Sequence, residues 1–184
     1  LFCQVIIVVP EGERELCQGV IKPHCQISSL QLVEGGPERQ DSVFNGLMEI
    51  REDIELVCIH DGGRPLVSEH LITSVLEGAA RFGAVIPGVA VIDTLKELNL
   101  NGTVSSTLPR GKIRRAQTPQ AFKRELILEA YHKAFLLGIE ATDDSYLLEL
   151  LDIPVQVLDG DPVNIKITGP HDLAAAAAYL KGGR

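Results

Sequence analysis

A chain of 184 residues, 45% of them hydrophobic, is long and apolar enough for one domain with a real core, which excludes a disordered protein. Its formal charge of −8 argues against the basic surface that non-specific nucleic-acid binding needs. No apolar run reaches the roughly 18 residues of a spanning helix, so neither nucleic acid nor membrane is an expected partner.

Gln4–Val9 reads as a strand and Glu11–Ile21 as a short helix or loop. Leu30–Val33 is a second strand, and it ends at Gly35-Gly36. Glu38–Ile50 follows as a helix with Val43, Leu47 and Ile50 on one face. Leu56–Ile59 has the composition of a strand buried on both faces, and it runs into the loop His60-Asp61-Gly62-Gly63-Arg64-Pro65. Ser68 is a good N-cap for a helix whose stripe is Leu71, Ile72, Val75, Leu76, Ala79 and Phe82, with Gly83 to stop it and a strand from Ala84.

This alternation predicts a single α/β domain over 1–184, a mostly parallel twisted sheet with helices on both faces. The rhythm breaks between Asp93 and Gln117, where Thr94–Leu98 and Thr103–Leu108 flank Asn99-Leu100-Asn101-Gly102. Asn-Gly is a hairpin signal, so 93–117 reads as an inserted β-hairpin arm that caps a site or reaches a partner subunit. Helices near Lys123–Leu137 and after Thr142, strands at Val155–Leu158 and Asn164–Ile167, and a helix from Pro170 complete the pattern.

In sheets of this kind ligands sit beyond the carboxyl ends of the strands, which directs attention to the loops after Val33, Ile59 and Ile86. Gly35 and Gly36 before a helix let backbone approach a ligand, and Ser42 could reach a base edge, although a Gly-rich turn with an ordinary polar first turn reads the same way. Asp61 suits a metal, a ribose or a hydroxyl, or simply a turn cap. Arg64 could be a phosphate fork, although an exposed surface arginine is the commoner case. Arg110, Lys112, Arg114 and Arg115 form a small basic cluster in an acidic protein, fit for a phosphate ester or for a solvated hairpin edge. Gln117-Thr118-Pro119-Gln120 reads as a polar turn before an apolar helix, where Thr118 could simply be a cap. Lys166, between two isoleucines of an apparent strand, would face the opposite side from them, and a lysine turned inward needs a partner, unless the strand is an edge strand. Thr142-Asp143-Asp144-Ser145 reads as a helix start with acids matched to its dipole. The four cysteines form no CxxC pair and read as free thiols of a reducing cytosol, and the five histidines lack zinc-ligand spacing.

Taken in order, Gly35-Gly36-x-Glu38-Arg39-x-x-Ser42-Val43 with Gly46-Leu47, His60-Asp61-x-x-Arg64-Pro65, Asp93-Thr94-x-Lys96, Arg110 eight positions before Thr118, Gln117-Thr118-Pro119-Gln120-Ala121-Phe122, Thr142-Asp143-Asp144 and Asn164-Ile165-Lys166-Ile167-Thr168 resemble the 2-C-methyl-D-erythritol 4-phosphate cytidylyltransferases of the non-mevalonate isoprenoid pathway. Each stretch is weak alone, and the ordered set is specific. The resemblance implies a Rossmann-like nucleotidyltransferase fold and a homodimer that exchanges the hairpin arm. It implies CTP and a sugar-alcohol phosphate as substrates, Mg²⁺ as cofactor with Asp61 near it, and a cytoplasmic enzyme. Gly35, Gly36, Arg39 and Ser42 would line the cytosine and ribose. Asp61, Arg64, Thr94 and Thr118 would surround the polyol phosphate, while Arg110 and Lys166 position it for attack on the α-phosphorus. That chemistry is mostly positioning and electrostatics.

Three departures stand out. Family members open with a Gly-rich loop carrying a basic residue and a Pro-Lys-Gln segment, which nothing in Leu1–Pro10 matches, so that segment is expected to be missing from this sequence. Pro37 stands where many members have Asp, and Gly62-Gly63 replaces a small Ala-containing pair. The alternatives are a cytidylyltransferase for another polyol phosphate such as ribitol 5-phosphate, and a non-catalytic module.

Overall fold

The structure is a computed structural model that describes residues 2–25, 27 and 29–182. In chain order its elements are β1 (Val5–Val9), α1 (Arg14–Ile21), β2 (Leu30–Glu34), α2 (Arg39–Met48), β3 (Leu56–Ile59), α3 (Glu69–Phe82), β4 (Ala84–Ala90), β5 (Lys96–Leu98), β6 (Val104–Thr107), β7 (Arg114–Ala116), β8 (Gln120–Lys123), α4 (Arg124–Leu137), α5 (Asp144–Glu149), β9 (Gln156–Asp159) and α6 (Pro170–Lys181). The chain divides into two compact units, Leu1–Val57 with Lys123–Ile153, and Cys58–Phe122 with Pro154–Arg184.

In the first unit β1 and β2 pair in parallel, Val5 opposite Leu30 through Val9 opposite Glu34. Helix α2 lies on β1 and comes close because position 46 is glycine: a Cβ there would stand 3.0 Å from Val8 Cγ2. Helices α4 and α5 pack together through buried Ile127, Ala130, Tyr131, Ala134, Leu147 and Leu148. Phe44 of α2 joins them, its ring 4.8 Å from that of Phe135 and 6.1 Å from that of Tyr131.

In the second unit the sheet runs β3–β8–β4–β7, with β9 also on β4. Strand β9 is parallel to β4, whereas β7 and β8 are antiparallel to it. Helix α3 covers β4 and β9, and Gly78 permits the contact, since a Cβ there would lie 3.0 Å from Val85 and 3.1 Å from Leu158. Ser68 caps α3 as its sequence predicts, accepting from the Leu71 N–H at 3.2 Å. Gly83 ends the helix at φ +87°, a conformation that disfavours a side chain.

The hairpin forms as β5 against β6, with a bulge between Glu97 and Leu98 and Gly102 at φ +80° in its turn. It is solvated on nearly every residue, including Leu98, Leu100 and Val104.

Four expectations need correction. Asn164–Ile167 forms no strand, because its polar backbone is satisfied elsewhere. The Asn164 carbonyl accepts from the Arg64 and Gln117 side chains, and the Ile167 N–H donates to the Gly63 carbonyl. Lys166 does not point inward: its side chain is 47% exposed. Gln117–Gln120 is not a polar turn, since Gln117, Thr118 and Gln120 are buried and Gln120 begins β8. In β3 only Val57 is buried, and its neighbours are half-buried.

Candidate active site

The strand β2 delivers the chain to Gly35, whose N–H donates to the Val9 carbonyl at 2.8 Å. Neither glycine that follows could carry a side chain in place. A Cβ on Gly35 would stand 2.5 Å from Ser42 Oγ, and one on Gly36 would stand 2.4 Å from Asp41 Cβ. The turn is stitched to the first turn of α2 by two side chains. Ser42 Oγ accepts from the Gly36 N–H at 3.1 Å, and Asp41 Oδ2 accepts from the Glu38 N–H at 3.1 Å. The Ser42 hydroxyl in turn donates to the Gly36 carbonyl at 3.4 Å, so one side chain holds both polar backbone groups of Gly36.

Arg39 opens the same helix. Its Nη1 and Nη2 donate to Asp144 Oδ1 and Oδ2 at 3.0 and 2.7 Å. Asp144 is fully buried, and the Tyr131 hydroxyl donates to its Oδ1 at 2.6 Å. Burial, then the Asp144 charge, push the Tyr131 phenol well above its ordinary range, so it stays a donor. Asp143, not Asp144, caps α5, accepting from the Tyr146 N–H at 3.0 Å. The sequence carried no sign of the Arg39–Asp144 pair, because its partners are 105 residues apart.

In the second unit Asp61, Arg64, Thr118 and Lys166 come together. Lys166 Nζ donates to Asp61 Oδ2 at 2.9 Å, and Arg64 Nε lies 3.9 Å from the same oxygen. Thr118 Oγ1 accepts from the Asp61 N–H at 3.0 Å and sits 3.0 Å from His60 Nδ1. The other ring nitrogen of His60 faces the Arg64 carbonyl at 3.0 Å. A carbonyl only accepts, so Nε2 carries the proton and Nδ1 of a neutral ring takes that of Thr118. Partial burial lowers the His60 pKa and favours that neutral form.

Asn164 and Gln117 frame the loop from below. Asn164 Nδ2 donates to the Thr118 carbonyl at 2.8 Å, and Gln117 Nε2 donates to the carbonyls of Asp161 and Asn164 at 2.9 and 3.1 Å. Burial lowers the Arg64 pKa, the Asp61 carboxylate opposes that, and the like charge of Arg115 adds to the lowering.

Thr94 and Arg110 lie apart from this cluster in the hairpin region. Both are exposed, and Arg110 donates to the Ile92 carbonyl. Sequence reasoning gave His60 and Asn164 no role, although both stand inside quoted motifs.

Among the described residues no group of three or more His, Cys, Asp or Glu side chains converges on a metal position. A lone carboxylate already accepting from a lysine does not fit a resident Mg²⁺, which demands near-octahedral oxygen ligands. What the cluster suits is a substrate with both anionic and hydroxyl groups: cations for the first, Asp61 and Thr118 acceptors for the second.

The family model described as IspD: 2-C-methyl-D-erythritol 4-phosphate cytidylyltransferase matches residues 2–182. A 2-C-methyl-D-erythritol 4-phosphate cytidylyltransferase of Syntrophus aciditrophicus is 46% identical over 182 residues, 98% of this chain and 78% of that protein. One from Desulforamulus reducens is 44% identical over 96% of this chain and 76% of its own length. Among solved structures, the 4-diphosphocytidyl-2C-methyl-D-erythritol synthase of Anaerococcus prevotii superposes with a TM-score of 0.89 at 33% identity, covering 97% of this chain and 78% of that one. The Thermus thermophilus cytidylyltransferase superposes at 0.82 with 35% identity, covering 96% and 81%.

Proposed function

The chain belongs to the 2-C-methyl-D-erythritol 4-phosphate cytidylyltransferase family, and from that membership we infer that it transfers CMP from CTP to 2-C-methyl-D-erythritol 4-phosphate. The products are 4-diphosphocytidyl-2-C-methyl-D-erythritol and pyrophosphate, in the isoprenoid pathway. A phosphate oxygen of the polyol phosphate attacks the α-phosphorus of CTP. The new P–O bond forms as the bond from the α-phosphorus to the β-phosphate oxygen breaks, and the electron pair leaves with pyrophosphate.

The observation that carries the site reading is the Asp61 cluster. Lys166 at 2.9 Å and Arg64 at 3.9 Å from Asp61 Oδ2 put two cations beside one hydroxyl acceptor. In the reading proposed here, Lys166 turns from Asp61 to the incoming phosphate. Asp61, relieved of it, accepts from a polyol hydroxyl, and Thr118 accepts from another. Arg64 holds the Asn164 carbonyl and keeps the Lys166 segment against the Asp61 loop. Positioning of this kind holds the attacking oxygen near the phosphorus without a general base.

Gly35, Gly36 and Ser42 would meet cytosine and ribose through backbone and hydroxyl, with Arg39 in the same helix turn. Arg110 and Thr94, on the hairpin, would complete the phosphate and hydroxyl contacts of a second copy, making the protein a homodimer through its arm. A divalent cation such as Mg²⁺ would enter with the triphosphate, whose oxygens and waters would supply its ligands. It would supply charge neutralisation on the leaving pyrophosphate.

The test is pyrophosphate release from CTP with 2-C-methyl-D-erythritol 4-phosphate and with ribitol 5-phosphate, using the full-length protein. A preference for the first of about 10² in kcat/KM is expected, from hydroxyl contacts left unmatched by the second. Equal rates, or a preference for ribitol 5-phosphate, would contradict the substrate assignment.

A further inference from the structure

We propose that Asp144 is a positioning residue for nucleotide selection: a buried carboxylate in α5 that acts through Arg39 to fix the first turn of α2, and with it the Gly35-Gly36 backbone. The inference rests on reading that turn as the nucleotide's site, and it makes Arg39 a strut and not itself a ligand.

Asp144 has no exposed surface and is held from three elements at once. It sits in the first turn of α5, takes both terminal nitrogens of Arg39 from α2, and takes the Tyr131 hydroxyl from α4. A planar guanidinium on a carboxylate fixes direction as well as distance. The next residue of α2 repeats the link: Gln40 Nε2 donates to the Ile139 carbonyl at 3.0 Å, and its Oε1 accepts from the Ala141 N–H at 2.8 Å. The N-terminus of α2 therefore cannot rotate without breaking the part-buried Arg39–Asp144 charge pair and two hydrogen bonds.

From Arg39 the constraint passes outward. Asp41 holds the Glu38 N–H and Ser42 holds the Gly36 N–H. The turn has no slack, since a Cβ at position 36 would lie only 2.4 Å from Asp41 Cβ. Cytosine offers an amino donor at C4 and an acceptor at N3, and uracil reverses both. A backbone reader distinguishes them only if its N–H and C=O groups stay in place, and Asp144 supplies that fixity.

The experiment uses the full-length protein and measures calorimetric Kd for CTP and UTP, kcat, KM for each substrate, and melting temperature. Asp144→Asn keeps the shape but turns an amide donor toward the guanidinium. It is expected to raise Kd and KM for CTP by about tenfold and to narrow the CTP-over-UTP preference by a similar factor, the range for losing a charged hydrogen-bond pair. KM for the polyol phosphate should stay within about twofold, because that substrate is not read by the turn. Arg39→Lys should behave alike, since an ammonium does not replace the fork. The double variant should be no worse than the worse single one.

Effects that multiply in the double variant would overturn the proposal, because Arg39 would then act on the nucleotide by itself. So would an unchanged CTP Kd in Asp144→Asn, or a fall in kcat and melting temperature with selectivity intact. Should Asp144→Asn fail to fold, Tyr131→Phe decides: it removes only the phenol hydroxyl, a rise in CTP Kd of about threefold is expected, and no rise overturns the idea. A wild-type protein that binds CTP but releases no pyrophosphate would contradict the functional reading while leaving these binding comparisons decisive. Failure to bind CTP would overturn both.

Discussion

Lys166 donates to Asp61 where a substrate phosphate is proposed to lie, so removing its ammonium should abolish a contact that strengthens during transfer. Lys166→Ala is expected to lower kcat/KM by about 10²–10³, measured by pyrophosphate release, with melting temperature little changed because the side chain is half-exposed. The two glycines before α2 should differ in their tolerance. Gly35→Ala meets a serine hydroxyl that can rotate away, whereas Gly36→Ala meets Asp41 Cβ, which cannot. Gly36→Ala should therefore destabilise by about 1–3 kcal/mol through a forced backbone shift, and Gly35→Ala by less. Denaturant unfolding of both variants checks the order. At this scale the motif residues were legible because each motif is local. Gly35-Gly36, Asp61 and Lys166 announce themselves by residue type, but Asp144 looked like any acid at a helix start. Only folding could reveal that it accepts from Arg39 and Tyr131, and that the tautomer of His60 commits the proton of Thr118.

The helices were readable from caps and stripes. Ser68 and Gly83 bound α3 on the predicted residues, and Ser68→Ala should cost about 1 kcal/mol without altering activity. Helix α6 depends on Asp172, whose Oδ2 accepts from the N–H groups of Thr168 and Gly169 and from the Thr168 hydroxyl. The Thr168 hydroxyl and then its N–H hold the Asp172 carboxyl below its ordinary range. A depressed folded-state pKa gives stability that is full above the unfolded value and is lost as pH falls through the folded one. Asp172→Asn should thus lower the melting temperature at neutral pH, with the difference from wild type shrinking toward about pH 2; a difference independent of pH would contradict the role. Strands were less legible. Asn164–Ile167 alternates as a strand does, yet side-chain amides and a guanidinium take the backbone positions a ladder would use. Strand β8 was hidden because it is only four residues long and opens on Gln120, which is polar and nevertheless buried.

On the scale of the whole molecule, the solvated hairpin is the feature that points beyond one chain. A lone two-stranded ribbon is marginal in water, and this one exposes Leu98, Leu100 and Val104. If the arm of one copy brings Arg110 to the Lys166 of another, Arg110→Ala and Lys166→Ala should each be nearly inactive. Unfolding and refolding them together should restore about one quarter of the sites, since half of randomly paired dimers are mixed and one site of each is intact. A mixture as inactive as its parents, with mixed dimers seen by native mass, would place both residues in one subunit. The α/β class was legible from the alternation of elements. The mixed pairing about β4 was not, because β7 and β8 are three and four residues long and carry little pattern. The central claim is CMP transfer by attack of the polyol phosphate, and an oxygen label tests it most directly. With 2-C-methyl-D-erythritol 4-phosphate labelled by ¹⁸O in its phosphate, unlabelled CTP and the full-length protein, mass spectrometry and ³¹P NMR should find the whole label in the diphosphate of the cytidyl product, including its bridging oxygen, and none in the pyrophosphate. Label in the pyrophosphate, or an unlabelled bridge, would contradict the account.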